Sequence, residues 1–183
     1  MKHVRKLTSM LLALVMVLAM AVTSLAAVDL SNHTFDAYKI FDGELSDGKL
    51  VEITWGDGIN SAAFTNALIA AGYDSYTDAE KKEHTITASA TAVEEVAAVI
   101  GMYATNSTDA EAIARIAYAN VAEGKGVSTA NHTFDAGYYV VVDTTDVQAG
   151  DAKNLALLRL LADNATINPT LKTDAPSVEK KIK

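Results

Sequence analysis

The apolar positions of the chain change period several times, and each change marks an element. Met10 to Val22 is an unbroken apolar run. The stretch from His33 to Phe41 has the β-branched and aromatic content of a strand, and Phe35, Ala37, Lys39 and Phe41 alternate with the opposite face, the period of a strand. Asp42-Gly43 and Asp47-Gly48 are turn dipeptides on either side of Glu44-Leu45, and Leu50 to Trp55 is a second strand closed by Gly56-Asp57-Gly58. This pattern predicts a meander of short antiparallel strands.

The period then becomes helical. Ala63, Phe64, Ala67, Leu68 and Ala71 form a stripe closed by Gly72. Thr77-Asp78-Ala79-Glu80 has the form of a capping box and predicts a short polar helix. Thr91-Ala92-Val93-Glu94 reads as another helix start, followed by Val93, Val96, Ala97, Ile100 and Tyr103 at helical spacing. Thr108-Asp109-Ala110-Glu111 repeats the cap ahead of a stripe of Ile113, Ile116, Ala117 and Val121 that runs to Gly124. Strand character returns over Thr133 to Asp143, and its centre, Tyr138 to Val142, is apolar enough to predict burial on both faces. Asp146 to Asp151 is a loop, Leu155 to Leu161 a short strand despite leucine's helix preference, and Asn164 to Asn168 a further extended piece. The expected fold class is α+β, mainly β, with a block of helices inserted between strands.

One echo crosses this layout. Asn32-His33-Thr34-Phe35-Asp36-Ala37-Tyr38 recurs as Asn131-His132-Thr133-Phe134-Asp135-Ala136-Gly137-Tyr138. The flanks do not repeat, so coincidence, or two segments with similar edge demands, explains it better than a repeat architecture. Both copies, with Asn106 and Asn164, form Asn-x-Ser/Thr sequons, which matter only where the export route glycosylates such sites.

Composition adds an address. Lys2, Arg5 and Lys6 precede the apolar run, and Ser24-Leu25-Ala26 places small residues for cleavage after Ala26, with Ala27 as the second choice. This is the form of a secretory signal peptide, and the run is short for a membrane span. The whole chain has 183 residues, room for one domain and a short extra segment, with a formal net charge of -8. Without residues 1–26 the charge is near -11, which argues against nucleic acid and anionic membranes as partners. An exported chain with no cysteine lacks the disulfide route to stability. The four histidines, His3, His33, His84 and His132, are scattered without ligand spacing, so neither a metal nor another cofactor is expected.

Catalytic motifs are absent from the sequence: no Gly-x-Ser-x-Gly, no His-Glu-x-x-His, no phosphate loop, no cysteine nucleophile. Glu94-Glu95 falls on a helix surface, where a solvated face is expected. The aromatics Phe35, Phe41, Trp55, Phe134, Tyr138 and Tyr139 lie on strands and are expected in the core. The expectation is therefore a protein that is not an enzyme.

The chemistry that stands out is in the last stretch, Ile167 to Lys183, which holds both prolines, Pro169 and Pro176, and is rich in lysine. Lys172 lies between the prolines, in a segment disfavoured as helix and expected to be extended and accessible. Val178, Lys180 and Ile182 alternate like the start of a strand, so Lys180 shares the inward face with Val178 and Ile182, where burial favours the neutral, nucleophilic amine.

Taken in order, His33-Thr-Phe-Asp-Ala-Tyr-Lys-Ile-Phe-Asp-Gly, Ile53-Thr-Trp-Gly-Asp-Gly-Ile, Ala136-Gly-Tyr-Tyr-Val-Val-Val-Asp and Ile167-Asn-Pro followed by Lys172-Thr-Asp-Ala-Pro-Ser-Val-Glu-Lys-Lys-Ile resemble the N-terminal region of Gram-positive sortase-assembled pilins, the fimbrial backbone subunits with isopeptide-forming domains. The resemblance spans the whole chain after residue 26. It implies an Ig-like β-sandwich variant with a helical insertion block, and a structural subunit of a covalent cell-surface polymer. Its partners would be other pilin subunits, a pilin-type sortase and host surface ligands. Lys172 best matches the sortase acceptor for the bond between subunits, with Thr170 and Leu171 standing between Pro169 and it. Lys180, or Lys181 as second choice, matches the lysine of an isopeptide bond inside a following domain, whose asparagine and acid would lie beyond residue 183. The layout this implies is a signal peptide at 1–26, a pilin domain at 27–168, a linker at 169–176 and the first strand of a truncated following domain at 177–183. The alternative is a shorter, simply secreted relative, since no Leu-Pro-x-Thr-Gly signal is present. In function the alternatives are a minor pilin or adhesin domain that binds host protein or glycan and, more remotely, a secreted hydrolase.

Overall fold

The computed structural model describes residues 33–78, 80–87, 92–104, 107–145 and 155–168. Ala26 and Ala27, the loop at 146–151, and Lys172, Lys180 and Lys181 lie outside the described residues.

Strand β1 (Phe35–Ser46) is the spine of the sheet, paired with β2 (Lys49–Trp55) on one side and β6 (Gly137–Asp143) on the other. The sheet continues to β7 (Leu155–Leu160), giving the order β2-β1-β6-β7 with every pair antiparallel, and the short β5 (Val127–Ser128) also pairs with β1. Between β2 and β5 come α1 (Ser61–Ala70), a separate hairpin of β3 (Ser75–Thr77) and β4 (Glu83–Thr85), α2 (Val93–Tyr103) and α3 (Ser107–Tyr118). The protein is thus α+β, an antiparallel sheet with three helices among the described residues.

β6 organises the packing because both its faces are covered. All seven of its residues are buried. Tyr138, Val140 and Val142 join the large core with Phe41, Phe64 and Leu68, and with Val96, Val99 and Ile113 from the helices. Tyr139 and Val141 point the other way, into a smaller cluster. Full burial contributes about 1.5–3 kcal/mol for each large apolar side chain, so this run, apolar on both faces, ties two layers to one strand. The helical stripes of α1 and α2 are as the periodicity predicts: Phe64 and Leu68 on one, Val96, Ala97 and Ile100 on the other, are buried.

Four local readings are corrected. Asp42-Gly43 is not a turn but sits inside β1. The register passes from Asp42↔Thr54 to Glu44↔Val51, so a β-bulge absorbs the irregularity. The Asp42 carboxylate accepts from the Gly43 N–H at 3.1 Å and from Lys39 Nζ at 2.9 Å, which satisfies the bulge locally. Asp47-Gly48 is the real turn, with φ of 50° and 72°, the left-handed pair that suits a two-residue hairpin. Thr77 to Glu80 opens no helix. Asp78 closes the β3–β4 turn instead: its carboxylate accepts the Lys82 N–H at 2.8 Å and its own N–H donates to the Lys82 carbonyl at 3.0 Å. The stripe after Thr108 stops at Tyr118, because Val121 leaves the helix to form an antiparallel bridge with Ile59. Thr133 to Ala136 precedes the strand rather than belonging to it, and Phe134 bridges to Ala165.

The chain crosses β1 closely at Gly56-Asp57-Gly58. The Gly56 N–H donates to the Ile40 carbonyl at 2.8 Å and the Gly58 N–H to the Lys39 carbonyl at 3.0 Å. A Cβ on Gly58 would collide with the backbone N and O of Lys39, neither of which can swing aside. Gly58→Ala is expected to lower stability by about 1–3 kcal/mol, read as a shift of the urea midpoint at constant m-value.

Candidate functional site

On the sheet surface opposite the helices, the segment after β7 is held down. After β7, Asn164 takes a left-handed φ of 54° and turns the backbone back. Ala165 and Phe134 then exchange two backbone hydrogen bonds, at 2.8 and 3.0 Å, and Asp163 Oδ1 accepts the Ala136 N–H at 3.0 Å. Ile167, 4% exposed, seals the small cluster of Phe35, Ala37, Phe134, Tyr139 and Val141. The Tyr139 hydroxyl donates to the Asp135 carbonyl at 2.7 Å, and its ring meets Phe134 edge-on at 5.5 Å. Residues 163–167 are therefore pinned, and Lys172 follows five positions after the buried Ile167.

The sequence echo acquires a meaning here. Its two phenylalanines, Phe35 and Phe134, belong to this one cluster. His33 stacks on Phe35 with ring centroids 6.2 Å apart, and His132 meets Phe134 at 4.8 Å. The two copies differ in local structure, one a strand and the other a bridge, so they share packing demands rather than a repeated fold. All the aromatics expected in the core are buried except Trp55, which is half-buried against it.

Beside the cluster, Lys39 lies with its Nζ 5.6 Å from the centre of the Tyr139 ring. Burial lowers its pKa, but the Asp42 carboxylate and Tyr139 outweigh that, and the net displacement is upward from 10.5. Burial likewise pushes the Tyr139 hydroxyl up. A protonated amine has no free electron pair, so Lys39 is held as a cation and is a poor nucleophile. A shallow cavity of about 170 Å³ opens next to it, lined by Lys39, Asp57, Lys125, His132, Asp135 and Tyr139 among others. The Lys125 ammonium is matched by Asp57 at 3.0 Å, so both lysines of this cleft have carboxylate partners.

A second constellation went unread in the sequence. His84, its side chain fully enclosed, bonds through Nδ1 to Glu95 Oε2 at 2.8 Å and through Nε2 to Asp78 Oδ2 at 2.9 Å. Glu95 is thus not simply part of a solvated face. No periodic signal identifies such a group, because its two partners come from a turn and from a helix that only the tertiary fold brings together. Among the described residues no group of three or more His, Cys, Asp or Glu is arranged to hold a metal ion, and no helix is long and apolar enough to cross a membrane.

No protein-family model matches the chain, and no curated protein or solved structure matches it either.

Proposed function

We propose that this chain is a structural subunit of a covalently polymerised pilus on a Gram-positive cell surface, joined through Lys172 by a pilin-type sortase. The observation that carries the reading is the pinned exit: a lysine between two prolines follows, within five residues, a side chain buried in a rigid sheet domain. Five residues span at most about 18 Å, which bounds the reach of Lys172 from Ile167, and a segment flanked by prolines is disfavoured as helix. A signal-peptide pattern and the absence of cysteine suit an exported shaft protein. The resemblance to sortase-assembled pilins supplies the class, the cell-wall location and the partners, namely other pilin subunits. An Ig-like sandwich belongs to this proposal too: the apolar outer face of the sheet, carrying Phe35, Tyr139 and Val141, offers a second packing layer beyond the helical one.

Incubation of the purified chain with a pilin-type sortase and a peptide bearing the Leu-Pro-x-Thr-Gly motif tests the reading. The expected product is a one-to-one amide adduct that survives boiling in detergent and maps to Lys172 by tandem mass spectrometry. No adduct, or adducts spread over exposed lysines such as Lys81 and Lys82, would sink it.

A further inference from the structure

We propose that His84, clasped between Asp78 and Glu95, is a pH-operated latch that docks the β3–β4 hairpin on α2 and lets it go as the pH rises. With both carboxylates ionised, the geometry calls for a doubly protonated ring. A neutral imidazole has one N–H and one lone pair, yet here both ring nitrogens lie within 2.9 Å of a carboxylate oxygen. With one proton missing, a ring lone pair would face a carboxylate inside an enclosed site. The imidazolium also offsets one of the two negative charges that Asp78 and Glu95 bring to the junction from different elements.

The surroundings make the ring a joint rather than a passive core residue. Tyr76, across the hairpin from His84, stacks on it at 4.6 Å with planes 6° apart. The Tyr103 hydroxyl on α2 donates to the Ser75 carbonyl at 2.9 Å, a further polar tie between hairpin and helix. Just after β4, Ile86 is 1% exposed and belongs to the large core with Val96 and Val99 of α2. Opening the latch would therefore uncover an apolar seam. The charged groups that face the ring are Asp78 and Lys82 from the hairpin and Glu95 from α2. Glu80 acts on Tyr76 at the hairpin's tip, and Glu94 on α2 is exposed. Of these only Lys82 opposes the imidazolium.

The titrations run in the same direction. The hydrogen bond to Asp78 raises the His84 pKa, burial opposes it, and Glu95 adds to the rise, so the net displacement is upward from 6.5. The hydrogen bond from His84 draws the Asp78 pKa below 3.8. A raised histidine contributes stability that is complete below 6.5 and lost as the pH rises through the folded-state value. A depressed aspartate contributes stability present above 3.8 and lost as the pH falls through its folded-state value. The latch is closed between those limits. Burial pushes the Tyr76 hydroxyl above 10.0, which keeps that ring neutral through the window.

The test is NMR on the whole chain: the His84 ring carbon–proton signal and the amide exchange of residues 75–85, corrected for the intrinsic pH dependence. The His84 midpoint should lie above 6.5. Hairpin opening should increase by up to about tenfold per pH unit from there to that midpoint and level off beyond it, while β6 amides stay protected. Glu95→Gln, at the partly exposed rim of the site, keeps an acceptor but removes a charge, so it should move the midpoint towards 6.5 and open the hairpin at lower pH. A midpoint at or below 6.5 overturns the latch. So does hairpin protection that follows β6 across the transition, or a Glu95→Gln profile that superimposes on the wild type.

Discussion

Lys172→Ala is expected to abolish covalent polymer while leaving the folded domain intact. Alanine offers no amine, so no amide can form at that position. Lys180→Ala and Lys181→Ala should leave adduct yield unchanged if, as proposed, Lys172 alone is the acceptor. The distinction rests on distance from the anchor: Lys172 lies five residues after Ile167, whereas Lys180 lies thirteen after it. Extended chain covers about 3.3–3.6 Å per residue, so five residues bound the reach from Ile167 far more tightly than thirteen do. Lys39, on that same surface, provides the internal control. Its ion pair with Asp42 keeps it protonated, and it should not replace Lys172 in the variant. The measurement is adduct yield by gel and intact mass, with a thermal melt confirming an unchanged fold. Full adduct with Lys172→Ala would end the assignment, and adduct moved to Lys180 or Lys181 would exchange the two lysine roles.

The sequence was most readable where one physical demand set the pattern. The run from Tyr138 to Val142 has no polar residue and is covered on both faces. The stripe of Val93, Val96, Ala97, Ile100 and Tyr103 has helical spacing and α2 is that helix, but its buried run, Val96 to Gly101, covers more than the one face the stripe predicts. It was unreadable where two structures use the same short code. Thr77-Asp78-Ala79-Glu80 suits a helix cap, where the Thr77 hydroxyl and the Glu80 carboxylate would accept backbone N–H groups, and equally a hairpin turn, where the Asp78 carboxylate does. The choice is made by His84, whose partner Glu95 lies eleven residues away and on another element. Asp42-Gly43 failed similarly: the dipeptide permits a turn, but β1 gains more by continuing through it, to pair Glu44, Leu45 and Ser46 with β2. The burial of Ile167 was not legible, because Phe35 and Phe134 reach its cluster from distant parts of the chain.

Phe41→Ala should give the largest loss of stability of any single core change considered, about 3–5 kcal/mol. Phe41 is 0% exposed and sits where β1, β2 and β6 meet. Its ring lies 5.1 Å from Trp55 and 5.8 Å from Tyr138, and Trp55 in turn meets Phe64 of α1 edge-on at 6.4 Å. Removing it therefore leaves a cavity whose walls cannot close in, because each is a strand or helix fixed by other contacts. The register shift between Lys39 and Phe41 on the β6 side, with that between Asp42 and Glu44 on the β2 side, brackets this residue. The backbone there is already committed to a shape that aims the ring inward. Domains of this size are stable by only about 5–15 kcal/mol, so the loss is a large share of the total and should lower the melting temperature by roughly 10–20 °C. Phe35→Ala, in the smaller outer cluster and 8% exposed, should cost less, since its cavity opens towards the surface. Calorimetry on both variants decides the matter: equal losses would mean that the outer cluster supports the fold as much as the aromatic junction at Phe41.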